Sequence, residues 1–364
     1  MTEKNIKGKY TINEHEQKPS KPIESNYEDL LIKYDDDVQN SLIRIDKQNI
    51  KWNEISETGN TFIGKIKFDF LEKDNKFSPI RVGKLLFKAL SCFTPQNDHN
   101  SYRDINDTIY INIEEYAREC DVLTKENEYK KKTVLKSFRK TLKKDLIYIR
   151  RNINITVDYE DNKGFKDMGL FQETGIDPSG KYAICVFSKT YANKLLDNAR
   201  LGRFSKKIFA IDARAPITFK LAIALTRQFT NYSNQKRKKN KKPTFDIRRI
   251  EPLIEEIGLQ SIEEIREIRA SWIQKAKKPF ERSMNQLVEP YGILKEWHYL
   301  KKDGTLFTNE EYIKFFSDEE LNYIDWINLK IQFTLANQDA YIETKTAKEY
   351  KQKELDILEE YYKD

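Results

Sequence analysis

The chain has 364 residues and sets 65 Lys and Arg against 58 Asp and Glu, a formal net charge of +7 that permits an anionic partner without requiring one. Cys92, Cys120 and Cys185 are too widely spaced for a CxxC metal pair or a disulfide framework, and His15, His99 and His298 do not make a multi-histidine site, so neither a metal nor a cofactor is expected. No uninterrupted apolar run reaches membrane-spanning length and the N-terminus lacks a signal-peptide-like stretch, so the expectation is a soluble, cytoplasmic protein with no membrane partner.

Residues 1–34 mix charges with Asn, Ser and Pro and show little apolar spacing, which predicts a flexible arm. A first unit, residues 35–205, begins with short helical and extended pieces, and TFIGKIKFDF alternates as a strand does. Asp35, Asp36 and Asp37 read as a solvated acidic turn rather than a cation site. In SPIRVGKLLFKALSCFT, Pro79 precedes a helix carrying Val82, Leu85, Leu86, Ala89, Leu90 and Phe93. Asn112 is placed to cap a second helix, IEEYAREC, with Ile113, Tyr116 and Ala117 facing inward.

The stretch Tyr129–Arg151 organises this unit. Leu135, Phe138 and Leu142 recur at the three- and four-residue spacing of a helix seated on a core, and Lys136, Arg139, Lys140, Lys143 and Lys144 crowd the remaining surface. Such a helix suits a nucleic-acid backbone or a major groove; a solvated basic helix is the equally ready reading of the stretch alone. IYIRRNINITVDY then reads as extended chain forming a β wing, so that three helices and a hairpin suggest a winged helix. DNKGFKDMGLFQETGIDPSG is expected to turn at the surface and lacks the order of an ATP phosphate loop. KYAICVFSKTYANKLL returns as strand and helix, with a unit boundary between Ala199 and Ala215 and LGRFSKKIFAID as a possible ordered connector.

The second unit, residues 206–340, repeats the plan. GKLLFKALSCFT aligns with FKLAIALTRQFT, matching Lys84 with Lys220 and Leu85 with Leu221, and SFRKTL resembles PFERSM at a similar offset. Ile217 to Phe229 supplies its first helix. The basic loop that follows contains Lys236, Arg237, Lys238 and Lys239, suited to phosphate contact. A second helix starts with Asp246 as its cap or near Pro252 and ends at Gly258. In the third helix Phe280, Met284 and Leu287 point inward, leaving Lys278, Arg282, Asn285 and Gln286 outward; Arg pairs bidentately with guanine, and Asn or Gln with adenine, which makes this helix the expected base reader. ILKEWHYLKKDGTLF looks like the first arm and tip of a wing, with an Asp303-Gly304 turn, Lys301 and Lys302 near phosphate, and Trp297 and His298 as packing residues. Its return strand is sought in INLKIQFTLAN. Residues 341–364 read as a C-terminal helix or tail.

PIRVGKLLFKALSCFT, YINIEEYARECDV, KKKTVLKSFRKTLKKDLIYI, FKLAIALTRQFT and KKPFERSMNQLVEPYGILKEWHYL together resemble the replication initiators of iteron-containing plasmids. The resemblance covers roughly Ile80 to Leu335 and implies an α+β fold of two winged-helix domains, the C-terminal one doing most base reading. It also implies a noncatalytic protein that binds double-stranded DNA at origin repeats, helps open the duplex, engages the host replication initiator or helicase-loading machinery, and in some members forms a homodimer. The implied location is cytoplasmic, on plasmid DNA or the nucleoid. Two other readings stand beside it: a winged-helix transcriptional or plasmid-maintenance regulator, and a metal-dependent nicking enzyme, for which the three scattered His offer little.

Overall fold

The computed structural model describes residues 50–55, 61–68, 78–93, 101–104, 106–159, 165–189, 191–192, 204–234, 246–259, 261–267, 271–317 and 321–336. The arm, the acidic turn at 35–37, the basic loop with Lys236, Arg237, Lys238 and Lys239, and the C-terminal tail lie outside these residues. No described helix is long and apolar enough to cross a membrane.

The fold is α+β, with open sheets and a helical core consistent with a winged-helix-like architecture. Helix α1 (Pro79–Phe93) lies at its centre. Ile80, Val82, Leu85, Leu86, Phe87, Ala89 and Leu90 are all buried, so apolar side chains leave the helix on every side, as in a helix enclosed by other elements. Even Lys84 and Lys88 are inside, and each finds an acceptor: Lys84 donates to the Ile211 carbonyl, and Lys88 donates to Glu119 Oε1 at 2.8 Å. Strand β4 (Thr108–Asn112) leads into α2 (Ile113–Glu119), where the Asn112 side chain caps the helix by accepting from the Glu114 and Glu115 amides. Ile113, Tyr116 and Ala117 are buried there as the spacing predicted.

Helix α3 (Lys131–Asn152) runs six residues beyond the point where the sequence suggested a wing. The apolar series Leu142, Leu146, Ile149, buried throughout, keeps helical spacing past Tyr148 and holds the chain helical. Strand β5 (Ile153–Tyr159) therefore starts later; directly after the helix it pairs antiparallel with the next strand, β6 (Phe165–Gly169), the hairpin the sequence suggested, and its other edge pairs with β2 (Thr61–Phe68), in a sheet completed by β1 (Ile50–Ile55) with the order β1-β2-β5-β6. The segment expected to turn at the surface is largely strand, β6 followed by β7 (Phe171–Ile176), with Leu170 and Phe171 fully buried. Among its described residues Asp177–Lys181 turn, with the Ser179 and Tyr182 amides donating to the Asp177 carboxylate, before β8 (Tyr182–Phe187). With the short β3 (Tyr102–Arg103), these strands form a second sheet, β3-β4-β8-β7.

The connector is built into the core: Phe204, Ile208, Phe209 and Ile211 are buried, and Phe87 meets both Phe204 and Phe219 edge-on with ring centroids at 4.9 and 6.4 Å. Helix α4 (Pro216–Asn234) is followed by β9 (Ile247–Arg249) and α5 (Ile250–Ile257). Asp246 is not the cap of α5. Its carbonyl accepts from the Phe333 amide and its carboxylate from Gln332 Nε2, because residues 247–249 are drawn into the sheet and the helix starts only at Ile250, two residues ahead of Pro252. Gly258 ends α5 at φ 68°, a left-handed conformation that glycine adopts without steric cost. After α6 (Ile262–Glu267), a π-helical turn at Ile273–Lys277 enters α7 (Lys278–Val288). The third sheet, β10-β11-β9, joins β10 (Leu294–Leu300) to β11 (Lys330–Leu335) across an insert carrying α8 (Asn309–Ser317) and α9 (Tyr323–Ile327).

Both halves run helix, strand, helix and then a later helix ahead of a hairpin, with α6 intervening in the second, and in both the strand between the first two helices pairs antiparallel with the last strand of that hairpin, β4 with β8 and β9 with β11. The halves differ in where extra chain enters. In the first, β5 and β6 come between α3 and the hairpin; in the second, α8 and α9 sit inside it.

Candidate nucleic-acid interface

On α3, Leu135, Leu142, Leu146 and Ile149 fasten the helix to the core, and Arg81 clamps it to α1 through two bonds to Asp145, 3.0 and 3.1 Å long. Burial pushes the Asp145 carboxyl up, and the Arg81 guanidinium opposes that. The face turned away from this anchor exposes Lys132, Lys136, Lys140, Lys143 and Lys144. Arg139 departs from the expectation: it is half-buried, and its Nε donates to the Gly180 carbonyl at 2.8 Å, tying α3 to the β7–β8 turn. At the start of α3 a depression of about 470 Å³ is lined by Glu128 to Thr133, Leu135 and Arg139, with Tyr129 78% exposed at its rim and Lys130 Nζ 4.9 Å from the Tyr129 ring centroid. Lys131 is already engaged with Glu114, alongside Arg118.

On α7, Phe280, Met284 and Leu287 are fully buried, and Lys278, Arg282 and Asn285 are exposed on the far side. Gln286 is not outward: it is half-buried, and its Oε1 accepts from the Thr218 hydroxyl at 2.7 Å. Asn285 is exposed, and its Oδ1 accepts from the Trp297 indole at 2.9 Å, which uses one of the two lone pairs of that oxygen and fixes the direction of the amide. Both amides brace α7 against its neighbours. Sequence periodicity finds the face of a helix but not a cross-element bond. Behind α7, Glu281 takes Lys277 at 2.8 Å and the Tyr299 hydroxyl at 3.1 Å, while Tyr299 accepts from the Trp326 indole at 3.0 Å; the α7 carboxylate is thereby matched.

The wing tip turns at Lys301–Thr305 as expected, with Gly304 at φ 95° and Asp303 holding the Thr305 amide. Lys302 is exposed. Lys301 instead pairs with Glu311 at 2.7 Å, and this bond, backed by the Thr308 amide, holds the Glu311 carboxyl down to about 2. Trp297 packs as predicted, whereas His298 alternates outward and is exposed beside Glu296. Three further exposed basic residues, Lys132, Lys275 and Lys295, extend the two faces and were not singled out by sequence; Lys132 and Lys275 continue the same three- and four-residue rows as Lys136 and Lys278. Among the described residues no group of three or more His, Cys, Asp or Glu is placed to hold a metal ion.

No family model matches the chain, and no curated protein matches it. Among solved structures it is similar to the crystal structure of the Pi initiator protein in complex with iteron DNA, at 11% identity and a TM-score of 0.41, over 86% of this chain and 99% of that one. This is a coarse likeness at low identity.

Proposed function

We propose that the protein is a noncatalytic, sequence-specific double-stranded DNA-binding initiator with two winged-helix domains, which binds repeats at a plasmid origin and promotes duplex opening. The observation that carries the DNA-binding part is the equivalence of α3 and α7: each is the last helix before the hairpin in a repeated order, each buries one stripe, and each exposes a cationic face. The α3 lysines supply phosphate affinity; Arg282, exposed on α7, reads a base, with Lys278 beside it. The replication part rests on the sequence resemblance to iteron-binding initiators, for which repeat-bearing DNA is the partner, together with host initiator or helicase-loading proteins.

Opening follows from binding if several molecules on phased repeats bend the duplex and the bent state gains contacts that offset its elastic cost. Selecting bound fragments from the DNA that carries the gene, then probing them with permanganate, tests this. Direct repeats with reactive thymines in adjacent A·T-rich sequence are expected. Binding to one operator with no unpairing would favour a regulator, and a divalent-dependent nick would favour an enzyme.

A further inference from the structure

The sheet β3-β4-β8-β7 has two unlike faces. Ile109, Ile111, Ala183, Cys185 and Phe187 are buried on the face that α1 and α3 cover. The opposite face carries Tyr102, Tyr110 and Tyr182 from three successive strands. Tyr102 and Tyr110 stack with centroids 4.9 Å apart and planes 19° apart, and Tyr182 meets them edge-on at 5.9 and 6.0 Å. Tyr102 is 45% exposed. Beside the cluster, Gly175 pairs with Ile184, and a side chain placed at Gly175 would meet nothing within 4 Å among the described residues, which leaves room for a flat ligand there.

We propose that this tyrosine face is a stacking platform for the unpaired bases of single-stranded DNA. Every base has a π-face, so a row of aromatic rings beside cationic groups accepts a single strand with little sequence preference, and a sheet is a support known to stack two or three bases in this way. The Tyr182 end of the row carries the cation, and at the other end the Asp104 side chain bonds Tyr110, with Glu173 nearby. Lys181 Nζ lies 5.0 Å from the Tyr182 ring centroid, and the preceding residue, Gly180, is the one that Arg139 of α3 holds. A strand leaving the α3 lysines therefore reaches the tyrosines across the β7–β8 turn, whose own acid, Asp177, is occupied by Ser179 and the Tyr182 amide. That continuity with a polyanion-binding helix favours DNA over a second copy of the chain. The inference rests on the duplex-binding reading for the DNA on α3, and it adds a place for one strand once the duplex opens.

The test is fluorescence anisotropy of the full chain with labelled oligothymidylate and, separately, with duplex DNA. The unaltered chain is expected to bind oligothymidylate; Tyr102→Ala should weaken that binding about 5- to 150-fold, Tyr102→Phe should restore it, and duplex affinity should not move. Photocrosslinking of bromouracil-substituted oligonucleotide to the unaltered chain needs no folded variant and should label Tyr102, Tyr110 or Tyr182. The proposal is overturned if oligothymidylate does not bind, if Tyr102→Ala binds it as well as the unaltered chain, if crosslinks fall only on α3, or if Tyr102→Ala changes self-association in sedimentation and nothing else. Oligothymidylate binding by a chain that ignores duplex DNA would support the platform and remove the duplex reading.

Discussion

Replacing Asn285 with Ala separates a bracing role for this residue from a base-reading one. The Trp297 side chain is 8% exposed, and Phe280 and Tyr299 hold its ring edge-on at 6.2 and 5.1 Å, so the indole cannot turn to water when its acceptor is removed. A buried donor left without a partner costs about 1–3 kcal/mol; the slight exposure of Trp297 places the expected loss near the lower part of that range, at about 1–2 kcal/mol. With a urea slope of about 3 kcal/mol/M, the unfolding midpoint falls by roughly 0.3–0.7 M. Asn285→Asp keeps an acceptor for the indole and should hold the stability within about 0.5 kcal/mol of the unaltered chain, while an added anion on the α7 face lowers duplex affinity. Urea titrations followed by tryptophan emission and far-UV circular dichroism, with duplex binding measured alongside, read both effects. An Ala variant that unfolds with the unaltered chain and loses only discrimination between cognate and scrambled duplexes would show the bracing argument to be mistaken.

Changing Lys140, Lys143 and Lys144 together to Ala should weaken cognate and scrambled duplexes alike and reduce the slope of log K against log salt by about 2–3, since fewer counterions are released; an unchanged slope would take phosphate contact away from α3. Arg282→Ala should instead cost about 1–3 kcal/mol of discrimination between the same two DNAs, and equal losses on both would move base reading off α7. Cys92 and Cys185 are buried, which pushes the Cys92 thiol up to about 11 and raises the Cys185 thiol as well, so at pH 8 both should resist alkylation in the native chain and react promptly in urea; fast native labelling would contradict the packing around α1 and β8. Glu311 has a folded-state value of about 2 against an ordinary 4.5, so the stability from its pair with Lys301 is fully present above pH 4.5 and lost as pH falls through 2. The difference in melting temperature between the unaltered chain and Glu311→Gln should therefore shrink across that window, and a difference that grows on acidification would refute the pairing.

The elements that could be read in the sequence were those whose side chains repeat locally. The stripes Leu135–Leu142 and Phe280–Leu287, the Asn112 cap and the Gly258 stop each depend on residues within a turn or two, and each is where the spacing put it. What was misread depends on partners far along the chain. The extended segment reads as starting at Ile147 because the apolar residues there fit a strand as well as a helix, and only the packing of Leu146 and Ile149 moves its start to Ile153. Asp246 has the composition of a cap but serves a strand 86 residues away. Of the two amides that periodicity turns outward on α7, Asn285 is exposed as expected but bonds Trp297, and Gln286 is half-buried against Thr218; both partners belong to other elements. The platform tyrosines were passed over for a similar reason: Tyr102, Tyr110 and Tyr182 share a face only once β4 and β8 pair in register.

The most direct test of the central claim is a hydroxyl-radical footprint of the full chain on a selected repeat, compared with the footprints of a Lys136, Lys140, Lys143 and Lys144 to Ala variant and a Lys278→Ala, Arg282→Ala variant. If both units engage one duplex, the unaltered chain protects two separate blocks of backbone, the α3 variant loses one block, and the α7 variant loses the other. A single protected block, or two variants that erode the same block, would contradict the account.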